Sequence, residues 1–261
     1  MKNVLTIATS DSCGGAGIQA DIKTFSALGT YGMSVIVAIT AQNTRGVVSI
    51  RELDHEIIRD QIDCLFDDIE IHAVKVGMVS SSGIIAVLGE ALRRWRPPYV
   101  VLDPVMVSKS GCRLLKPEAK GDLIKILFPL ADLVTPNLDE AEAITGERVT
   151  TVEQMKQAAV AIEKLGARNV IVKGGHLEGD AVDVLYAGGN FYYLDEKKIN
   201  TKNTHGTGCT FSSAIAAYLA KGYGMLEAVK RAKEYITGAI EHALPIGHGA
   251  GPTNHFYRLY S

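Results

Sequence analysis

The sequence predicts a three-layer α/β/α sandwich around a mostly parallel sheet, and three observations carry that expectation. Short apolar runs alternate with segments of helical period along nearly all of the 261 residues. Most of the runs end in polar or glycine-rich stretches, as strands do when the loops at their carboxyl ends hold a ligand. Two strand-like segments, Val182 to Tyr186 and Phe191 to Leu194, are joined through Gly188-Gly189-Asn190, which adds an antiparallel edge hairpin.

Composition bounds the rest. With 47% apolar and 21% charged residues the chain can bury one large core, and a single domain over 1–261 is expected. A net charge of −2 offers no basic stripe for nucleic acid. No segment approaches about 18 uninterrupted apolar residues, and the opening M-K-N-V-L-T-I-A-T-S-D lacks the form of a secretory signal. A cytoplasmic protein with neither membrane nor nucleic-acid partner is expected. Cysteines at 13, 64, 112 and 209 show neither zinc-ligand spacing nor a disulfide framework, so at least one reads as a working thiol.

The first strand, Val4 to Ala8, runs into a glycine loop and a helix that stops near Gly29. Gly15-Ala-Gly17 fits a relaxed dinucleotide fingerprint, yet the second strand, Val35 to Ala41, leads to Gln42, Asn43 and Thr44 instead of the acid a ribose needs. Asp21 lies one turn beyond Gly17 on the face the glycine loop exposes, and Gln42 offers an amide that can both donate to and accept from a heterocycle. A helix from His55 to Phe66, a strand from Ala73 to Val76, the turn Gly77-Met78 and a helix from Ser82 to Arg94 follow. Tyr99 to Leu102 ends in Asp103-Pro104-Val105-Met106, and an aspartate there suits a ligand or the water of a metal ion. The polar stretch after it, with Cys112, reads as a flap.

Asp132 to Thr135 closes with Pro136-Asn137-Leu138-Asp139-Glu140, a helix start in which Glu140 also suits plain first-turn dipole complementation. A helix from Thr151 to Leu165 leads to the strand Asn169 to Lys173, then the hairpin, a short strand, and Asn203 to Gly208, where a loop opens a helix ending at Gly222. Free N–H groups and the helix dipole make that entry a place for an anion, phosphate above all. Gly206 and Gly208 let the backbone close on it, and Cys209 stands at the first turn, so phosphoryl transfer is expected here. A final helix covers Met225 to His242.

Eight separated strings now point one way: G-G-A-G-I-Q-A-D at 14–21, T-A-Q-N-T at 40–44, V-G-M at 76–78, D-P-V-M at 103–106, T-P-N-L-D-E-A-E at 135–142, K-G-G-H at 173–176, H-G-T-G-C-T at 205–210 and G-P-T-N-H-F at 251–256. In this order they resemble the hydroxymethylpyrimidine/phosphomethylpyrimidine kinase family of the ribokinase-like superfamily. The resemblance implies an ATP- and Mg2+-dependent enzyme that phosphorylates first a hydroxymethylpyrimidine and then its monophosphate in thiamin biosynthesis. It implies an anion hole at Gly206, Thr207 and Gly208, a catalytic Cys209, and acceptor contacts at Asp21, Gln42 and Met78, with Val105 and Val107 shaping the pocket. Lys173 and Asn137 would reach ATP along with Thr207 and Gly208. Glu140 and Asp103 would hold magnesium, directly or through water. A homodimer is also implied. Cys112 departs from the family pattern and suggests the alternative of a pyridoxal or dual kinase, in which a flap thiol meets an aldehyde. A cysteine hydrolase using His205 and a non-catalytic pyrimidine sensor fit less well, the first because glycines surround His205 and the second because the phosphate loop is intact.

Overall fold

The computed structural model describes residues 1–107, 111, 114–175, 181–196 and 198–259. Nine strands form one sheet: β1 (Asn3–Asp11), β2 (Tyr31–Asn43), β3 (Gly46–Glu52), β4 (Ala73–Val76), β5 (Val100–Leu102), β6 (Leu133–Val134), β7 (Val170–Val172), β8 (Ala181–Ala187) and β9 (Asn190–Glu196). Their order is β3-β2-β1-β4-β5-β6-β7-β8-β9. The strands from β2 to β7 pair in parallel, and β3 and the β8–β9 hairpin pair antiparallel at the two edges. Every residue of β4 to β7 is buried, which is why these strands, Lys75 of β4 apart, read as apolar runs and not as alternating ones.

Helices cover both faces. On one side α2 (His55–Asp68), α3 (Ser82–Trp95), α5 (Leu138–Thr145) and α6 (Val152–Lys164) bury a core that includes Ile58, Ile62, Leu88, Ala141 and Ile162. On the other, α1 (Gly17–Ala27), α7 (Thr207–Ala220) and α8 (Met225–Glu241) meet the sheet through Phe25, Phe211, Ile215, Val229 and Tyr235. Both Asn137 before α5 and Thr151 before α6 form capping boxes, with Glu140 and Gln154 answering their backbone amides. Each such cap contributes about 1 kcal/mol. α7 is small-residued and buried on nearly all sides, so it seats close against the sheet.

The layers and the antiparallel hairpin are as the sequence predicts, but three details differ. β3 was not expected; its side chains are part-buried or exposed, so it lacks the apolar run that marks a core strand. Residues 119–130, before β6, form one rod of changing pitch: α4 (Ala119–Asp122), a π turn at Leu123–Leu127 and a 3₁₀ turn at Phe128–Leu130 that ends with Pro129 in place. Among the described residues from 198 to 206 the expected short strand is reduced to an isolated bridge between His205 and Pro252.

Candidate active site

The carboxyl ends of β5, β6 and β7 point at the N-terminus of α7, and the site is assembled there. Gly206 enters the helix at φ 79°, a left-handed conformation that glycine adopts without strain. A Cβ on it would lie 1.7 Å from the carbonyl oxygen of Gly15, so the two glycine loops touch backbone to backbone. Thr207 ties its hydroxyl to the Thr204 carbonyl at 2.8 Å, which closes the turn. A Cβ on Gly208 would lie 3.4 Å from Lys173 Nζ and 3.6 Å from Asp103 Oδ2. Thus the anion loop, the lysine after β7 and the aspartate after β5 share one small space.

Lys173 donates to Asp103 Oδ1 at 3.0 Å, and its side chain keeps 15% of its surface exposed while Asp103 keeps 2%. Burial works against both charges, yet each holds the other ionised: Lys173 lies above its usual range and Asp103 below. Thr135 and Ser212 hydroxyls also donate to Asp103. Glu140, the N3 residue of α5, accepts the Asn137 amide at 2.8 Å, while its own amide gives 2.8 Å to Asn137 Oδ1. Burial pushes the Glu140 carboxyl up to about 7; Lys173 pulls it down and Asp103 pushes it further up. So Glu140 caps α5, as dipole complementation suggests, and also lies within the electrostatic reach of Lys173 and Asp103.

Cys209 stands in the first turn of α7 and stays partly exposed. Burial pushes its thiol up to about 11, opposed by Lys75 and reinforced by Asp21 and Asp103. At neutral pH it is a thiol.

The acceptor side is less charged. Gln42 sits part-buried near the end of β2, and Met78 is buried, its carbonyl accepting the Thr9 hydroxyl at 3.2 Å. Val105 is part-buried and Val107 is 52% exposed. Cys112 lies outside the described residues. Asp21 is placed differently from the expectation of a ligand contact: it is fully buried and its carboxylate is filled from within. Thr6 and Ser213 hydroxyls donate to it at 2.6 Å, and Lys75 Nζ lies 2.9 Å from both oxygens. The i to i+4 spacing from Gly17 gave its face, while depth is set by how closely α7 packs on α1.

Sequence reasoning missed three groups. Lys75, a lone charge in the apolar A-V-K-V strand, is fully buried against Asp21, and that isolation was the available signal. Asp183 accepts both the Gly174 amide and Lys233, bracing the turn after Lys173. Asp11 and His205 pair across the two glycine loops at 2.8 Å. The tail, chemically mute as a string, holds the anion loop: His205 gives its amide to Gly251, Gly251 to Asn203, and Ala250 to Thr44.

A glycine-bearing helix N-terminus beside an ion-paired lysine, at the carboxyl ends of parallel strands, is the arrangement of small-molecule kinases of ribokinase-like fold. Comparison narrows the class. Residues 11–254 match the phosphomethylpyrimidine kinase family, and the chain belongs to it. It is 53% identical over 260 residues to a hydroxymethylpyrimidine/phosphomethylpyrimidine kinase of Rhizobium meliloti, covering 98% of this chain and 97% of that one. It is 52% identical over 254 residues to the thiamine biosynthesis bifunctional protein of Geobacter sulfurreducens, spanning 97% of this chain but 52% of that longer protein. Among solved structures, an ADP complex of Bacillus subtilis pyridoxal kinase superposes over the full length of both chains with a TM-score of 0.93 at 42% identity.

Proposed function

We propose that this kinase, as one domain over 1–261, transfers the terminal phosphoryl group of ATP to 4-amino-5-hydroxymethyl-2-methylpyrimidine and then to the monophosphate so formed, for thiamin synthesis. The observation that carries the reading is the Gly206–Gly208 loop closed against Lys173 and Asp103 at the head of α7. Loosely bonded phosphoryl transfer asks for placement and charge stabilisation, and backbone N–H groups with a lysine supply both.

In this reading Lys173 and Asn137 face the triphosphate, and the amides of Gly206, Thr207 and Gly208 receive the charge that builds on the transferred group. Gln42 hydrogen-bonds the ring, and Met78, Val105 and Val107 set its plane. Asp21 acts from beneath, holding Lys75 and the Ser213 turn of α7 in place. Asp103 and Glu140 present hard oxygen donors next to one lysine, a donor set that fits magnesium held through water. Magnesium, when bound, offsets the negative charge of the phosphates. Cys209, protonated, donates to the acceptor oxygen and aligns it, so it assists the alcohol step more than the phosphate step, whose nucleophile is already ionised.

Pyridoxal is the second candidate acceptor, favoured by the full-length likeness to a pyridoxal kinase and by the hydroxymethyl group the two rings share. A cytoplasmic homodimer completes the proposal, supported by Ile39 and Val48, exposed on the β2–β3 edge. ATP consumption with magnesium against hydroxymethylpyrimidine, its monophosphate and pyridoxal tests it. Turnover of the monophosphate is expected; turnover of pyridoxal alone would replace the thiamin reading.

A further inference from the structure

We infer that Asp11 and His205 are positioning residues that lock the acceptor-side glycine loop onto the phosphate-side loop, so that Gln42 and the anion hole keep one fixed spacing. The inference rests on the phosphoryl-transfer reading of the Gly206–Gly208 loop.

Asp11 ends β1, and its carboxylate organises the first loop from inside. Oδ1 accepts the Cys13 amide at 2.8 Å, and Oδ2 accepts Gly15 at 3.1 Å and Ala16 at 2.8 Å. Oδ2 also accepts His205 Nε2–H at 2.8 Å from the second loop, 194 positions away in the chain. The two side chains are 4% and 12% exposed, so the bond is shielded from water. Burial opposes the Asp11 charge, but the imidazole and the amides of Ala16 and Cys13 hold it below the usual carboxylate range.

Sterics make the joint stiff. A Cβ on Gly15 would come 2.3 Å from His205 Cδ2, and a Cβ on Gly206 would overlap Gly15 itself. The loops therefore cannot close further, and the His205–Asp11 hydrogen bond keeps them from parting. The same His205 Nε2 lies 3.3 Å from the Gln42 amide nitrogen. With its one hydrogen given to Asp11, that nitrogen has no lone pair for Gln42, so Gln42 Nε2 keeps its hydrogens for an acceptor ring while its Oε1 accepts the Thr40 hydroxyl at 3.4 Å. Cys13 brings a third metal-ligating atom within 4.8 Å of the other two. The Asp11 oxygens are already filled by three amides and the imidazole, so the cluster is a joint and not a metal cradle.

The test compares His205→Ala, His205→Gln and Asp11→Asn in steady-state kinetics with hydroxymethylpyrimidine and MgATP, and in amide hydrogen exchange over 14–16 and 206–209. Displacing a reacting group by about 1 Å lowers turnover on the order of 10²-fold, so His205→Ala is expected to lose about that much kcat. Its KM for ATP should stay within about threefold, since the lysine side is untouched, and both loops should exchange about tenfold faster. His205→Gln, which keeps an N–H at similar reach, should recover most of both. Should His205→Ala fail to fold, Asp11→Asn carries the same expectations. Unchanged kcat, unchanged exchange, or a glutamine variant no better than alanine each overturns the inference. If the unaltered protein turns over none of the acceptors, the functional reading fails, and loop exchange alone still decides the joint.

Discussion

Two of the buried lysine–aspartate pairs among the described residues have similar geometry and opposite openness. Lys75–Asp21 joins β4 to α1 with neither side chain exposed, and Lys173–Asp103 joins the ends of β7 and β5 with 15% of the lysine exposed. In the first, hydroxyls and the ammonium fill the carboxylate. In the second, the lysine faces Gly208 at the N-terminal turn of α7 and stays partly exposed. A sealed pair can only hold elements together, whereas an open pair keeps a charge available for something that arrives.

Breaking the sealed pair should produce the largest effect. Lys75→Met leaves Asp21 charged and buried, and should lower unfolding stability by about 3–5 kcal/mol in urea titration. Adding Asp21→Leu should return most of that loss, because a matched apolar pair needs no counter-charge. Failure of the double variant to recover would show that Asp21 does more than neutralise Lys75. Breaking the open pair should split the other way. Lys173→Met is expected to lower kcat/KM by about 10²–10³, or about 3–4 kcal/mol, as loss of one preorganised donor does, while its stability loss in urea titration stays below that of Lys75→Met because Thr135 and Ser212 still donate to Asp103.

The rule that the sealed region admits charge only in pairs can be sharpened at His255. It accepts or donates at 3.0 Å with Thr210 in the first turn of α7, and burial, with help from Lys23, lowers its pKa from 6.5 to about 4. The folded chain resists a proton that the unfolded chain takes near 6.5. Its contribution is therefore complete above that pH and is lost as pH falls toward 4, about 3 kcal/mol in all. His255→Gln should flatten this part of the stability profile, measured by thermal melts between pH 7 and pH 4. Smallest is Cys209→Ala, expected to slow phosphorylation of the alcohol about tenfold and of the monophosphate less. Equal losses in the two steps would contradict an aligning thiol.

Much of this contrast was legible in the residues. Lys173, Asp103, Asn137 and the 205–210 string sit at strand ends and a helix entry, positions that local pattern alone can locate. Glu140 was readable as a cap for the same reason. Asp21 was assigned to the right face and the wrong depth, because helical period reports direction but not what a neighbouring helix covers. The Asp11–His205 bond joins residues whose proximity depends on the whole sheet closing, and no spacing rule reaches so far. β3 escaped notice since an edge strand buries little.

The tail that crosses the anion loop has a consequence for synthesis. Residues 249–254 bind Thr44, Asn203, His205 and Ala239, yet they leave the ribosome after every strand of the sheet. A nascent chain can therefore lay down all nine strands while the phosphate cradle still lacks its retaining strap. The strap is thus laid down separately from the sheet, and a chain cut before residue 249 would keep every strand while leaving the 203–208 loop unbraced.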